Sequence, residues 1–425
     1  MTAPKTVRDA SCADDYDPNS MPVDHARALI RQFLSPVTAS ERVHIRVALD
    51  RVLAQDVVSP ITVPGHDNSA MDGWAVRFAD LRADGETELK RVGESFAGKP
   101  HTGAIGAGEA VRIFTGGIMP AGSDSVVMQE RATEIEGGVR IPAGAVSKAG
   151  QNRRFAGEDL KQGQLVFAAG QPVRPAELGM LASLGIGEVS VYRKLGVAFF
   201  STGDELKSIG TPLAAGEVYD SNRYTLYGML TRLNCDVVDM GVVPDVPEQL
   251  ERAFATAAAN ADVVITSGGV SVGEADFVRQ MLDKLGEVLF WKIALKPGRP
   301  LAYGKIGGAH FFGLPGNPVA VMVTFYAFVR DALLVLSGCR DAGPMPLFKA
   351  ALGAPIRKAP GRMEFQRGIL SLDSAGGWTV RTTGDQGSGI LSSMSQANCF
   401  IVLPTKTGNV AAGETVDVQL FEGLI

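Results

Sequence analysis

The chain has 425 residues, which is too long for one ordinary hydrophobic core, so we expect two to four folding units. Its apolar fraction of 45% is typical of a globular protein, and a formal net charge of -5 gives no global reason to bind nucleic acid. The longest apolar stretch, residues 319–336, is interrupted by Arg330 and Asp331. This pattern predicts a buried helix and argues against a membrane span.

The first 19 residues contain several aspartates and no apolar segment, so they are predicted to form a disordered leader and not a signal peptide. We therefore expect a cytoplasmic protein. The four cysteines are widely scattered without a CxxC pair, which is typical of free thiols in a reducing compartment and predicts no zinc site.

The next part of the chain combines one helix with a β-rich insert. The stretch "SMPVDHARALIRQFL" predicts an amphipathic helix capped by Ser20, with Val23, Ala26, Ile30 and Phe33 on one face. Residues 64–146 are turn-rich with short alternating runs, which predicts a mostly β insert. Residues 20–63 and 147–193 flank this insert and are expected to form one discontinuous linker domain.

From residue 194 strands alternate with helices. The runs "LGVAFF" and "DVVIT" are apolar on both faces, which predicts a doubly wound parallel α/β domain over residues 194–340. Residues 341–425 contain period-two runs, "FIVLP" and "ETVDVQLF", between glycine-rich turns. They predict a small, barrel-like C-terminal β domain.

Ligands of open α/β sheets collect at the carboxyl ends of the strands. The motif "SGGVSVGEAD" directly follows "DVVIT", and its glycines would let backbone N–H groups approach a phosphate. Taken alone, such a loop fits an ordinary tight turn equally well.

Acidic residues follow the other predicted strands. Asp204 and Glu205 come after "LGVAFF", and Asp220 and Asn222 precede the next helix. Carboxylates beside a phosphate would repel it by about 4 kcal/mol per pair of unit charges at 4 Å and a surface-like dielectric. A hard cation such as Mg²⁺ would relieve that repulsion, although each aspartate also fits a simple helix cap.

Basic residues come next in the motif "WKIALKPGRP". Lys292 and Lys296 would share one face if residues 291–295 were extended, with Arg299 close behind. They would attract a small dianion, but a solvated strand edge is an equally simple explanation. In the β insert, Asp67, Asp72 and Thr115 fit local side-chain hydrogen bonds in turns.

The order of these motifs resembles one family. The segments "PGHDNSAMDGWAV", "FTGGIMPAGSDSVVMQE", "STGDEL", "YDSNRY", "SGGVSVGEAD", "ALKPGRP" and "GLPGNPVAV" are similar to those of the molybdopterin molybdenumtransferases, MoeA and the E domain of gephyrin. The resemblance runs from about Met21 to the C-terminus. It implies a four-domain homodimer whose cleft is shared between subunits, and an enzyme of molybdenum cofactor biosynthesis. The implied reaction inserts molybdate into adenylylated molybdopterin with Mg²⁺-dependent release of AMP.

The resemblance also implies roles for individual residues. Glu205 and Asp276 would bind Mg²⁺, while Lys292 and Lys296 would contact the oxyanion and the terminal phosphate. Asp67 and Thr115 would enter the cleft from the partner subunit as further catalytic residues. The remaining residues implied in binding the pterin, its phosphates or the oxyanion are Ser201, Thr202, Asp220, Ser267, Gly268, Gly269, Ser271, Gly273, Pro297, Arg362 and Ser393.

One segment departs from the family pattern. In "DQGSGILSSMSQAN" the pair Ser393 and Met394 matches, but Gly389 and Ile390 replace the Ser-Arg that the family often shows. This difference leaves the preference for molybdate over tungstate open.

Two other functions stay possible at this point. One is a clustering scaffold of the gephyrin E-domain type, and the other is a related pterin or nucleotide hydrolase or adenylyltransferase that shares the α/β domain. Expected partners are a molybdopterin adenylyltransferase and proteins that mature molybdoenzymes, with neither nucleic acid nor membrane. The acceptor enzyme and any paralogue that shares the role are not predicted.

Overall fold

The computed structural model describes residues 20–269 and 284–421. The helices of this part of the chain, numbered in chain order, are α1 (Val23–Gln32), α2 (Pro175–Ser183), α3 (Ser221–Arg232), α4 (Pro247–Asn260), α5 (Pro318–Thr324), α6 (Arg330–Leu336) and α7 (Ser392–Gln396). A π-helical turn, Phe325–Val329, joins α5 to α6.

The strands before the α/β region are short, and they are β1 (Ser40–His44), β2 (Val57–Val58), β3 (Asn68–Ser69), β4 (Gly73–Val76), β5 (Thr87–Ser95), β6 (Glu109–Ile113), β7 (Ser125–Met128), β8 (Thr133–Ile135), β9 (Gly138–Ile141), β10 (Arg153–Arg154), β11 (Leu165–Phe167) and β12 (Glu188–Tyr192). The later strands are β13 (Gly196–Thr202), β14 (Leu206–Lys207), β15 (Val218–Tyr219), β16 (Asp236–Val243), β17 (Val263–Ser267), β18 (Gly286–Lys292), β19 (Leu295–Lys296), β20 (Pro300–Ile306), β21 (Ala309–Leu314), β22 (Phe348–Leu352), β23 (Met363–Leu372), β24 (Trp378–Thr382), β25 (Cys399–Leu403) and β26 (Thr415–Leu420).

The chain divides into two compact units. The insert unit comprises Gln55–Ala169 and Pro175–Val189, and the main unit comprises the described residues up to Ala54, Gly170–Arg174 and the chain from Ser190 onward. The insert unit contains a six-stranded sheet in the order β7-β4-β6-β5-β9-β8. Trp74 and Val127 on one face and Val111 and Val126 on the other are buried in two separate apolar clusters. The four-domain boundaries expected from the sequence stay a prediction.

The main unit contains the α/β sheet, in the order β16-β13-β17-β21-β20-β18. Strands β16, β13, β17 and β21 are parallel, whereas β20 runs antiparallel to both β21 and β18. Alternate side chains of β13 enter opposite cores: Val197 and Phe199 pack in the cluster that contains α3 and α5, while Phe200 packs with Phe254 of α4. Helices therefore cover both faces, and the expected doubly wound fold is confirmed.

The C-terminal part of the main unit is a barrel. Strands β23, β24, β22, β26 and β25 follow one another, and β25 pairs again with β23, which closes the ring. Ile401, Val418 and Val380 fill its interior. The expected barrel-like domain is therefore confirmed.

The predicted apolar helix lies inside the main unit. Among the described residues, Pro318–Leu336 has the length and composition that a membrane span would require, and 72% of its apolar window is buried. Val321, Phe325 and Leu333 pack in the largest apolar cluster, so this segment has the burial of a core helix.

The N-terminal helix forms as predicted, with Val23, Ala26 and Ile30 buried. Its cap differs from the prediction, because Pro22 is the N-cap residue and no side chain caps the helix. Met21 instead bridges to Ile293, which ties the start of this helix to the segment that follows β18.

Candidate functional site

The predicted phosphate-binding residues lie at adjacent strand ends. Ser201 and Thr202 end β13, and Ser267 ends β17 directly opposite Ser201 in the parallel register. All three side chains are buried. Because the carboxyl ends of parallel strands meet at one edge, these residues lie together at the edge where open α/β sheets bind ligands.

Asn222 connects this edge to two neighbouring segments. Its buried amide donates one hydrogen bond to Ser267 Oγ (2.8 Å) and another to the carbonyl of Gly316 (2.6 Å), in the loop after β21. It thus holds the start of α3, the end of β17 and the following loop together. The sequence placed Asn222 in the motif "YDSN" but did not single it out as a site residue.

The glycines after β17 are required by the backbone. Gly268 and Gly269 have φ of +92° and +68°, a region that side chains rarely adopt. A Cβ on Gly268 would lie 2.3 Å from the carbonyl oxygen of Thr202, so the two strand ends touch at their main chains. The rest of the predicted loop, including Ser271, Gly273 and Asp276, lies outside the described residues.

Buried polar atoms at this edge lack partners. Within the described chain, Ser201 Oγ, Asp220 Oδ2 and Asn222 Oδ1 accept or donate no hydrogen bond. Asp220 is the N-cap of α3, where Oδ1 accepts the N–H of Arg223 (3.2 Å) and Oδ2 lies 3.7 Å from Arg223 Nε. Since unpaired buried polar groups are costly, such atoms indicate a position that water or a ligand completes. We call Ser201, Thr202, Asp220, Asn222, Ser267 and Gly268 the strand-end site.

Acidic side chains lie beside it. Glu205 is exposed, and its Oε2 lies 2.6 Å from where a Cβ on Gly203 would be, so the carboxylate turns back over the end of β13. Asp245, after β16, accepts the hydroxyl of Thr202, and its N–H donates to Asp204 Oδ1 (3.4 Å). Sequence reasoning missed Asp245, although it follows a strand end as Glu205 does.

The donor chemistry of these acids suits a hard cation. Carboxylate and hydroxyl oxygens are the ligands that Mg²⁺ prefers. No group of three or more His, Cys, Asp or Glu side chains that could hold a metal occurs in residues 20–269 or 284–421. Of the two predicted Mg²⁺ ligands, the structure thus describes Glu205 alone, and the pairing with Asp276 stays a prediction.

The two predicted lysines lie on different sheets. Lys292 ends β18 opposite Pro300 of β20, and because β20 is antiparallel to β21, this is the same edge as the parallel carboxyl ends. The chain then leaves the α/β sheet, so the idea of one extended run over residues 291–295 is wrong. Lys296 belongs to β19, which pairs with barrel strand β23. The physical reason for the break is Met21, whose N–H donates to the Lys292 carbonyl and whose carbonyl accepts the N–H of Ala294.

Lys296 has a buried carboxylate partner. Its ammonium lies 3.2 Å from Oε1 of Glu364, the residue opposite it in the β19–β23 register, and Gln366 Nε2 donates to Oε2 (2.9 Å). Glu364 is 4% exposed, whereas Lys296 and the following Pro297 are accessible to solvent. The buried carboxylate of Glu364 therefore holds the Lys296 side chain, which remains accessible to solvent.

A second, buried lysine adjoins this pair. Lys358 Nζ donates to the carbonyls of Thr407 (2.8 Å) and Ala359 (3.3 Å). Burial lowers the pKa of Lys358, and the positive charges of Lys296 and Arg362 lower it further, while Glu364 opposes them. Lys296, Lys358, Arg362 and Glu364, which we call the barrel cluster, therefore carry more positive than negative charge, as an oxyanion site requires.

Ser393 is engaged within the fold. Its hydroxyl accepts from Nε of the buried Arg367 (2.9 Å) and donates to the carbonyl of Ile390 (2.6 Å). Burial lowers the pKa of Arg367, which also donates to the carbonyl of Gly387 (3.0 Å). Ser393 thus orders the segment in which Gly389 and Ile390 depart from the family pattern, and its contact with a ligand stays a prediction.

In the insert unit, Asp67 is held by hydrogen bonds. It pairs with the Arg153 guanidinium and accepts the N–H of Ala156 (2.7 Å). Burial would raise the pKa of Asp67, but the Ala156 N–H and Arg153 together hold it below its ordinary value. The side chain is therefore a fixed anion on the unit's surface.

Thr115 is bound by Asp72. Its N–H and its hydroxyl both donate to Asp72 Oδ1 at 2.7 Å, and these bonds lower the pKa of Asp72. The hydroxyl oxygen keeps lone pairs that are exposed to solvent. The roles of Asp67 and Thr115 in a shared cleft stay predictions.

The fold and the site together define a class. The main unit is a doubly wound α/β domain followed by a barrel, with close-packed glycines, unpaired polar atoms, carboxylates and a lysine at the carboxyl edge of its sheet. This is the arrangement of a protein that binds a phosphorylated ligand at the ends of its strands.

Comparison with known proteins identifies the family. Three family models match in order: the MoeA N-terminal region (domain I and II) at residues 21–185, the "probable molybdopterin binding domain" at 198–334, and the MoeA C-terminal region (domain IV) at 349–421. The molybdopterin molybdenumtransferase of Haemophilus influenzae is 46% identical over 95% of this chain and 99% of its own, and that of Nostoc sp. is 36% identical over 89% and 88%. The crystal structure of the molybdopterin biosynthesis moeA protein of Pyrococcus horikoshii OT3 aligns with a TM-score of 0.82 at 29% identity, over 95% of this chain and 100% of that one. The chain belongs to the MoeA family of molybdopterin molybdenumtransferases.

Proposed function

We propose that the protein catalyses the last metal-insertion step of molybdenum cofactor biosynthesis. It binds adenylylated molybdopterin and molybdate, transfers molybdenum to the dithiolene of the pterin, and releases AMP. The relatives that carry the name molybdopterin molybdenumtransferase, at up to 46% identity over nearly the whole chain, support this function over a scaffold or a hydrolase.

The observation that carries the proposal is the strand-end site. Its residues fall inside the region that matches the molybdopterin-binding model, and Ser201, Asp220 and Asn222 each present a buried polar atom that no described residue satisfies. The backbone contact between Gly268 and Thr202 leaves no room for a side chain above the strand ends. A phosphorylated pterin would satisfy these atoms and lie directly over the glycines.

Two anions must then approach each other. Two unit charges about 4 Å apart repel by about 4 kcal/mol at an effective dielectric of 20. Lys292 at the sheet edge, and Lys296 and Arg362 in the barrel cluster, supply the opposing charge. Glu364 holds Lys296 in place, and the planar Arg362 guanidinium suits a tetrahedral oxyanion.

Mg²⁺, when bound, neutralises charge that develops on the phosphate anhydride. Glu205, with Asp276 as the second expected ligand, would hold it. Asp220 would accept hydrogen bonds from the nucleotide or pterin through Oδ2, which accepts none from the described residues although Arg223 Nε lies 3.7 Å away. Residues of this chain therefore bind and orient the reactants. Molybdate oxygen would attack the adenylyl phosphorus, which breaks the anhydride P–O bond and leaves the pterin with its own phosphate. The dithiolene sulfurs would then displace AMP from molybdenum.

We further infer a cytoplasmic homodimer in which Asp67 and Thr115 of one subunit complete the cleft of the other. The exposed lone pairs of Thr115 and the ordered carboxylate of Asp67 support this arrangement, since both groups are fixed yet accessible. Molybdopterin adenylyltransferase would supply the substrate, and proteins that mature molybdoenzymes would accept the product.

The test is molybdate-dependent release of AMP by the purified protein from adenylylated molybdopterin and Mg²⁺. Lys296→Ala should lose this release, whereas Lys349→Ala should keep it. Lys349 is a matched control, because it also pairs with a carboxylate across two barrel strands, Asp417 at 2.7 Å. Equal turnover by both variants would reject the assigned site, and AMP release that ignores molybdate would favour a hydrolase.

A further inference from the structure

A cavity of about 620 Å³ lies in the main unit at the amino-terminal edge of the α/β sheet. Its lining includes Leu195, directly before β13, Leu233, directly after α3, and Ser337, directly after α6. At about 3.3 Å per residue, β13 separates this edge from the strand-end site by about 20 Å. The cavity is therefore distinct from the site described above, and its size suits a small-molecule ligand.

Seven of the 19 lining residues carry basic side chains. The acidic ones are Asp50 and Asp341, and arginines and lysines outnumber them. Four of the arginines are already paired: Arg51 with Glu41, Arg193 with Asp262 (2.7 Å), Arg330 with Asp331 (2.7 Å) and Arg340 with Asp341 (3.4 Å). These four groups are held in place and contribute little net charge.

Lys194 and Arg232 differ from them. Within the described residues, neither side chain forms an ion pair or a hydrogen bond, although both line the cavity. Arg232 lies in the last turn of α3, where a cation is favoured by the helix dipole without any ligand. Lys194 is half-buried and precedes a strand, so no such local effect accounts for it.

Part of the lining is apolar. Val52, Leu195, Leu233 and Leu334 line the cavity, and the Tyr192 ring lies flat on Gly338, where a Cβ would meet its ring at 2.4 Å. A cavity with two unpaired cations and apolar walls fits a molecule that carries phosphates at one end and a ring at the other.

We propose that this basal cavity is a second binding site, for a small phosphorylated molecule such as a nucleotide polyphosphate, and that Lys194 and Arg232 bind its phosphates. Occupation would leave the strand-end site free, because the two sites lie at opposite ends of the same strands. The site is independent of the proposed transferase reaction.

Cys339 provides a local probe. Its thiol is partly accessible and lines the cavity, whereas Cys235 and Cys399 are buried and burial raises the pKa of each to about 12. In a full-length Cys12→Ser background, alkylation should therefore report on Cys339. ATP or pyrophosphate at about ten times its Kd should slow that alkylation about tenfold by simple occupancy. Adenosine at equal concentration should not, since it lacks phosphates, and stronger protection by ATP than by pyrophosphate would show that the ring binds too.

The matched variants are Lys194→Ala/Arg232→Ala and Lys148→Ala/Arg131→Ala, the latter on the exposed surface of the insert unit. Protection should disappear in the first pair and persist in the second, while AMP release persists in both. Absence of protection in the parent protein, or protection that survives Lys194→Ala/Arg232→Ala, would overturn the proposal. If Cys339 resists alkylation, calorimetric ATP binding decides instead: the first variant must lose one site that the second retains.

Discussion

Asn222→Ala tests the strand-end site most directly, because one amide joins three segments there. The substitution removes hydrogen bonds of 2.8 Å to Ser267 Oγ and 2.6 Å to the Gly316 carbonyl. Each such bond contributes about 1 kcal/mol net, and a buried acceptor left unpaired costs about 1–3 kcal/mol more. Ser267 is 1% exposed and cannot recruit bulk water, whereas Gly316 is exposed and can. We therefore expect a loss of about 3–5 kcal/mol, of which two lost bonds account for about 2 kcal/mol and one unpaired acceptor for the rest.

The assay combines thermal unfolding with AMP release. For a folding unit as large as the main unit, about 3–5 kcal/mol corresponds to a melting midpoint roughly 6–20 °C lower. AMP release should also fall at temperatures where the variant remains folded, because the turn carrying Gly268 loses its anchor. Asn260→Ala is the matched control: its amide also donates a hydrogen bond, to Thr256 O at 2.8 Å, but on an exposed helix end. That control should change stability by less than about 0.5 kcal/mol.

Two outcomes would refute this reasoning. One is a melting midpoint for Asn222→Ala equal to that of Asn260→Ala, which would mean that the buried amide does not join the three segments. The other is full AMP release by a destabilised Asn222→Ala, which would separate the strand ends from the reaction.

Three further predictions follow from single residues. Gly268→Ala should abolish AMP release, because its Cβ would meet Thr202 O at 2.3 Å. Gly210→Ala, also at positive φ but with nothing within 4 Å, should retain it. Equal activity of the two variants would contradict the close approach of Gly268 to Thr202. Glu364→Gln should move the alkaline limit of AMP release to lower pH, because Glu364 raises the pKa of Lys358. Asp417→Asn, which removes the carboxylate that pairs with Lys349, should leave the pH profile unchanged. Identical pH profiles for the two variants would show that the barrel cluster does not take part in the reaction. Burial lowers the pKa of His310 from 6.5 to about 4, so between these values the unfolded chain binds the proton that the folded chain excludes. The free energy of unfolding should thus fall by about 3 kcal/mol as pH drops through that window. In melting curves recorded across this pH range, His310→Gln should flatten the pH dependence of stability, whereas the exposed His66→Gln should not.

Local pattern predicted the α/β sheet and three residues of the strand-end site. Residues 263–265 are apolar on both faces of their strand, so periodicity and the carboxyl-end rule together predicted where Ser201, Thr202 and Ser267 would lie. The same rule, applied to the strand that ends at Val243, would have found Asp245.

The barrel cluster could not be predicted in the same way. Glu364 meets Lys296 because β19 pairs with β23 across 68 residues of sequence, and neither strand predicts that register by its own pattern. Lys358 lies in the stretch "PIRKAP", which has no pattern that predicts burial, and the fold buries it beside the carbonyls of Thr407 and Ala359. The charge arrangement of the barrel cluster thus depends on long-range strand pairing, which the local sequence does not predict.

The position of Lys292 relative to Lys296 has the same origin. Only three residues separate them, yet one belongs to the α/β sheet and the other to the barrel. The fully buried Ile293 holds the crossing, with its N–H bonded to the Arg299 carbonyl (2.6 Å) and Met21 paired on both sides of it. The segment before α1 therefore holds the main chain between the two lysines in place. The sequence places both lysines in one motif. In the fold, their relative position depends on the pairing of Ile293 with Met21, about 270 positions earlier in the chain, so the motif alone does not determine the geometry.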